Sequence, residues 1–245
     1  MVLANQSNSD LLKHNQERII NQVEKALQNV GKATVLLAMD FDECAIDEHL
    51  SRQVTLFYEH RGHLTPEDKK NFDLKSIVKL FSVYQGLKLE EFSLKIKDIA
   101  QHIHWRKGFI KFFQELQTGS NIFPVFISSG LLDAAKIALK QIGIEKIAVI
   151  AAEITTDSQN IIQGAYSIIS DQDKKLVIAE LQKRHHFEKV VTVGHSAGDV
   201  LLIASGTPGF RLAFPDHQLA VKAADHVIND WREVGEYIER KIVRR

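Results

Sequence analysis

Four short stretches of the sequence carry side chains that do chemistry. Asp40 and Asp42 follow one apolar run, and Ser128, Ser129 and Gly130 follow another. Lys174 and Lys175 open a helical pattern, and Gly194-His195-Ser196-Ala197-Gly198-Asp199 ends a third apolar run. Carboxylates two residues apart suit acid–base work and the binding of a hard cation. A serine beside glycine offers hydroxyl and backbone donors to an anion, and a lysine offsets the charge such a site collects. Taken singly, each has a plain structural reading: acids cap turns, a serine sits in a turn, a lysine is a solvated helix charge, and Asp199 caps a helix.

The elements that must place these groups are legible from hydrophobic periodicity. In TVLLAMDFD (34–42) the run Val35 to Met39 is short, continuous and followed by acids. That is the pattern of a strand buried on both faces and ending at a site. Similar runs follow at 122–130, 146–153, 189–196 and 210–215. Helical patterns separate them: 131–143 carries Leu132, Ala135, Leu139 and Ile142, and 173–185 carries Leu176, Val177 and Leu181. Strands alternating with such helices predict an α/β fold, a doubly wound, Rossmann-like parallel sheet. In these sheets ligands bind beyond the carboxyl ends of the strands. Those ends carry Asp40, Asp42, Ser128, Ser129, Glu153, His195 and Asp199, so the polar groups converge on one edge.

Two stretches interrupt the alternation. Residues 47–104 show helical segments around 48–61, 66–85 and 89–103, with Thr65-Pro66-Glu67-Asp68 as a helix start. They predict a helical cap inserted after the first strand, placed over the carboxyl edge as a lid. Residues 154–168 predict a hairpin with a polar turn. Ahead of the sheet, Leu11, Leu12, Ile19, Ile20, Val23 and Leu27 recur at helical spacing, and a last helix is expected over 225–243. The expected organisation is an N-terminal helical extension at 1–32, an α/β core at 33–46 and 105–245, and a helical cap at 47–104. Within the cap, Arg52 is a candidate partner for a substrate carboxylate or second phosphate. Phe57, Tyr58, Phe72, Phe81 and Tyr84 are expected to form its core.

Composition narrows the classes. Lysine plus arginine number 31 and aspartate plus glutamate 31 among 245 residues, so there is no basic field of the kind a general nucleic-acid binder needs. With 44% hydrophobic and 25% charged residues the chain has the make-up of a folded protein. One cysteine, Cys44, excludes an internal disulfide framework and reads as a small core residue. The first residues lack a basic-then-apolar signal pattern, and no apolar stretch approaches the ~20 residues of a bilayer span. A cytoplasmic protein with neither membrane nor nucleic acid as partner is expected. His102 and His104 do not share a helix face, and His185-His186 sit in a charged helix end, so neither pair predicts a metal site.

In chain order, Asp40-Phe41-Asp42-Glu43-Cys44, Ser128-Ser129-Gly130, Lys174 and the Gly194–Asp199 stretch resemble the four motifs of the haloacid dehalogenase-like (HAD) superfamily. The resemblance covers roughly residues 34–215, and it is closest to the phosphoserine phosphatase and cytosolic pyrimidine 5′-nucleotidase branches. HWRKGFIKFFQEL, FPVFISSGLLDAAKIALKQIG and the GxSxGD form of the last motif lean to the nucleotidase side. The resemblance implies a metal-dependent phosphomonoester hydrolase working through an aspartyl-phosphate. Its substrate would be a small phosphorylated metabolite, such as a nucleoside monophosphate or a phosphoserine-like compound. Asp40 would be the nucleophile and Asp42 the acid/base; Ser128, Ser129 and Gly130 would bind phosphate with Lys174. Lys174 is preferred to Lys175 because Val177, Ile178 and Leu181 then fall three, four and seven residues later, the register of the family's lysine. The implied cofactor is Mg2+, or else Mn2+ or another divalent metal, held by Asp40, Asp42, Asp199 and His195.

His195 departs from the family pattern, standing where an aspartate usually binds the metal. Three readings follow. The site binds Mg2+ weakly through Asp40 and Asp199, prefers a transition metal through His195, or has lost turnover and binds a phosphorylated ligand or protein partner. Glu43 is a second departure, at a position where glycine is common.

Overall fold

The computed structural model describes residues 8–62, 65, 74–116 and 121–243. Among them seven strands form one sheet in the order β4-β3-β2-β1-β5-β6-β7. The strands are β1 (Val35–Met39), β2 (Ile122–Leu131), β3 (Ala148–Thr156), β4 (Ile162–Tyr166), β5 (Lys189–Gly194), β6 (Arg211–Ala213) and β7 (His226–Val227). Every neighbouring pair is parallel except β3 with β4. The helices are α1 (Asn8–Leu27), α2 (Leu50–Tyr58), α3 (Leu74–Phe81), α4 (Leu89–Ala100), α5 (Phe109–Leu116), α6 (Leu132–Gln141), α7 (Asp171–Arg184), α8 (Val200–Ala204), α9 (Gln218–Ala223) and α10 (Trp231–Ile238).

The continuous apolar run of β1 has a direct physical cause. Successive side chains of a strand point to opposite faces. Val35, Leu37 and Met39 enter one core with Phe109, Phe113 and Trp231, while Leu36 and Ala38 enter a second with Ile19, Val23, Val177 and Leu181. Both faces are therefore covered by helices, α1 and α7 on one side and α5, α6 and α10 on the other. Side chains of α1 tie it to the sheet: the Asn15 amide exchanges two hydrogen bonds with the Ile168 backbone just after β4, and Gln22 does the same with Ala151 in β3. No described helix is long and apolar enough to cross a membrane.

The segment between β1 and α5 is helical among its described residues, and it does not keep a core to itself. Val54, Tyr58, Tyr84, Phe92 and Ile96 belong to the same apolar cluster as Met39, Phe41 and Phe126. Tyr84 lies 4.7 Å from Phe92, ring to ring. Phe57 departs from expectation: it is 49% exposed, with Lys95 over its ring, while Tyr58, Phe81 and Tyr84 are buried. Phe72 and the Pro66-Glu67-Asp68 helix start lie outside the described residues. The chain returns through an antiparallel bridge of Ile46 with Trp105, and Arg106 reaches Asp216 at 2.8 Å.

The sheet's far edge differs from the sequence expectation. Residues 225–230 are not helix: they hold β7, and α10 begins only at Trp231, behind Asp230 as its N-cap. Two residues are too short a strand to show a period, and the Asp230 cap is what fixes the true start. The expected hairpin is present as β3–β4, with Asp157 accepting from Gln159 and Ile161 in the turn.

Candidate active site

β1 sits between β2 and β5, so the connections leave it in opposite directions, and a crevice opens where they part. A cavity of about 330 Å³ occupies that place. Asp40, Asp42, Glu43, His49, Ser128, Ser129, Gly130, Asp171, Lys174 and His195 line it. The sequence-predicted residues from β1, β2, α7 and β5 thus meet at one edge. Glu153 does not join them: it pairs with Tyr166 in the β3–β4 ladder and faces another groove of about 720 Å³ beside α1. That groove is larger, but its lining contains neither histidine nor serine. Arg52 is exposed and does not line the cavity.

Lys174 is the electrostatic centre. It is buried, with Nζ 2.6 Å from Asp199 Oδ1 and 3.1 Å from Asp40 Oδ1. Lys175, one residue on, is exposed. Burial alone would discharge the ammonium, but Asp199 and Asp40 outweigh it and raise its pKa. Burial also opposes the charge on Asp199, and Lys174 with His195 holds that carboxyl far below the ordinary range. Asp199 has little left to offer. Its Oδ2 accepts from His195 N at 3.0 Å, Ser196 N at 2.9 Å and Ser196 Oγ at 2.9 Å, which closes the loop after β5.

Asp42 is held by the start of α2. Leu50 N donates to Oδ1 at 3.1 Å and Ser51 N approaches Oδ2 at 3.4 Å, the anion-binding use of a helix N-terminus. His49 Nδ1 lies 3.0 Å from Asp42 Oδ2 and 3.3 Å from Arg52 N. One nitrogen cannot donate to the first and accept from the second. Burial lowers the His49 pKa, but the Asp42 carboxylate outweighs it and the net shift is upward. Gly130 is required by close approach: a Cβ there would stand 2.2 Å from Ser51 Oγ and 2.8 Å from Asp42 Oδ2. Ser51 Oγ in turn accepts from Leu131 N at 2.9 Å, and Ser128 Oγ accepts from Gly130 N at 3.1 Å.

Glu43 holds a backbone conformation that favours glycine. Its φ is +54°, the left-handed region that costs a side-chain-bearing residue about 1 kcal/mol or more. Its carboxylate stands 3.8 Å from His195 Nε2. Cys44 is buried beneath the site, and burial pushes its thiol up to about 11, which suits an inert core residue.

Sequence reasoning missed Asp171 and Ser51. Asp171 lines the cavity, and burial raises its pKa. In the sequence it is one of several acids at a helix start, indistinguishable from a dipole-favoured surface residue. Ser51 carried no signal, since its role depends on where α2 lands.

Among the described residues one cluster has metal-ligand geometry, Asp40, His195 and Asp199, with ligand atoms within 4.8 Å of one another. His195 Nδ1 is buried 3.1 Å from Asp199 Oδ2 and 3.5 Å from Asp40 Oδ2, yet it aligns with neither for a hydrogen bond and is left without a partner. Burial would lower its pKa, and the nearby carboxylates more than reverse that. The spot attracts a cation. Its donors, one imidazole nitrogen and carboxylate oxygen, suit a divalent ion that accepts nitrogen better than they suit magnesium.

No protein-family model and no curated protein matches the sequence. Solved structures share its architecture, and the chain has the HAD-like fold. A substrate-bound phosphoserine phosphatase is 17% identical with a TM-score of 0.64, over 84% of this chain and 98% of that one. A HAD family hydrolase from Salmonella enterica serovar Typhi is 14% identical with a TM-score of 0.66, over 86% and 72%. A cytosolic 5′-nucleotidase IIIB bound to cytidine is 16% identical with a TM-score of 0.58, over 92% and 90%.

Proposed function

We propose that this protein is a phosphomonoester hydrolase that works through an aspartyl-phosphate on Asp40. The observation that supports it most is the joining, in one cavity, of a carboxylate, a buried lysine 3.1 Å from it, and the Ser128–Gly130 turn. Asp40 attacks phosphorus, the P–O bond to the leaving group breaks, and the departing oxygen takes a proton from Asp42, which is left as the carboxylate. Water then attacks the phosphorus of the aspartyl-phosphate, gives its proton back to Asp42 and releases orthophosphate. Ser128 and the following backbone N–H groups hold the equatorial oxygens, and Lys174 offsets their charge. A divalent cation held by Asp40, His195 and the Asp42 carbonyl would supply the remaining positive charge.

Residues 47–104 act in this reading as the cap that contacts the rest of a small phosphorylated substrate, with 33–46 and 105–245 as core and 1–32 as an extension. Nucleoside monophosphates and phosphoserine-like compounds are the substrate classes to try first, because a phosphoserine phosphatase and a 5′-nucleotidase are among the structural neighbours. A second reading, ligand binding without turnover, draws on His195 and on the full engagement of Asp199. A screen of phosphate esters with Mg2+, Mn2+ and Co2+, with Asp40→Asn as the blank, separates the two. Hydrolysis lost in Asp40→Asn supports the enzyme; thermal stabilisation by orthophosphate with no hydrolysis of any ester supports the binder.

A further inference from the structure

We propose that His195 Nδ1 is a direct ligand in a mixed nitrogen–oxygen site for a divalent transition ion, Mn2+, Co2+, Fe2+ or Zn2+, with Asp40 as its carboxylate partner. The proposal deepens the phosphoryl-transfer reading and rests on it for what the ion does, while the site itself is measurable without turnover.

Three independent observations carry it. The first is the nitrogen itself. His195 is more than nine-tenths buried, its Nδ1 has no hydrogen-bond partner, and it lies between two carboxylates. A buried polar atom without a partner is costly, and a bound ion removes the cost. The second is the state of Asp199. Lys174 takes one oxygen, and three protein donors take the other, so the acid that would give a magnesium ion oxygen ligands is occupied. The imidazole nitrogen is the free ligand atom, and it favours first-row transition ions over magnesium. The third is the charge inventory. Asp40, Asp42, Glu43 and Asp171 line the cavity with Asp199 beneath it, against Lys174, His49 and His195. Receiving a phosphoryl group as well calls for further positive charge, which a dication supplies.

The test titrates metal-free protein with Co2+, followed by visible absorption, and with Mn2+ and Mg2+ by calorimetry. The expected result is one Co2+ per chain with a nitrogen-containing ligand spectrum, and Mn2+ at least about tenfold tighter than Mg2+. His195→Ala and His195→Gln, each checked for an unchanged thermal melt, should lose about tenfold or more in Co2+ affinity and change the spectrum. His195→Asp should cut the Mn2+ preference over Mg2+ by about tenfold. Equal binding of Mg2+ and Mn2+ by the wild type, no binding of any ion, or a Co2+ spectrum unchanged in His195→Gln would overturn the proposal. Metal bound as expected with no ester hydrolysed would sink the enzyme reading and leave this site standing. Ester hydrolysis by a wild type that binds none of these ions would do the reverse.

Discussion

Two of the clusters that pair aspartate with lysine or arginine differ in one respect. At the strand edge, Lys174 joins Asp40 and Asp199, and every side chain is at most 7% exposed. At the start of α10, Asp230 accepts from Arg232 at 2.6 Å and lies 3.5 Å from Lys107; the acid is covered, but the arginine is 56% and the lysine 71% exposed. Both cations of that cluster are solvated by water. The Lys174 cluster has no such recourse. Replacing a buried ion group by apolar residues is often neutral or favourable, so stability does not account for Lys174, and the cavity it borders does.

The largest expected effect follows from removing one partner only. Lys174→Met should cost about 3–5 kcal/mol in urea unfolding, because Asp40 and Asp199 are then left buried together without a counter-charge. Adding Asp40→Asn to that variant should recover part of the loss. If Lys174→Met costs no more than a surface substitution, the distinction between the two clusters is void.

A second contrast tests packing at the same two places. Gly130→Ala drives a Cβ into Ser51 Oγ and Asp42 Oδ2, and Ser51 cannot retreat without abandoning the buried Leu131 N–H. A loss of about 1–3 kcal/mol is expected, with weaker stabilisation by orthophosphate in the same thermal scan. Gly235, inside α10, would bring its Cβ to 3.3 Å from the Phe112 ring. There the gain in helix propensity offsets the tight contact, and Gly235→Ala should stay within about 1 kcal/mol of wild type.

What was legible in the sequence follows the same division. β1 could be read because both its faces are buried, which forces a continuous apolar run, and the acids after it mark the carboxyl edge. Lys174 could be preferred to Lys175 because its spacing to Val177, Ile178 and Leu181 matches the register of the lysine in the family it resembles, and those three residues are buried with it in α7. The engagement of Asp199 could not be read, since it depends on backbone N–H groups that carry no residue signature. Nor could the hold of α2 on Asp42, made across the Glu43 turn by residues eight and nine positions away. The edge of the sheet failed for another reason: β7 is two residues long, and Ile228 just after it falls three residues before Trp231, at helical spacing with α10.

The smallest effect belongs to the exposed cluster. Asp230 caps α10, accepting from Arg232 N at 2.9 Å and Glu233 N at 3.4 Å. Asp230→Ala should cost about 1 kcal/mol, as N-cap removals do. Hydrogen bonds from Arg232, opposed by burial, hold the Asp230 carboxyl down to about 2. A carboxyl depressed in the folded state contributes stability above its unfolded pKa of about 3.9 and loses it as pH falls through the folded value. The gap between wild type and Asp230→Ala should therefore be constant from neutral pH down to about 5, then narrow between about 4 and 2. Salt should also shrink it, since the cations are exposed, whereas the Lys174→Met deficit should resist salt. A gap that stays open at pH 2 would mean that the backbone cap alone stabilises α10, with Arg232 adding nothing.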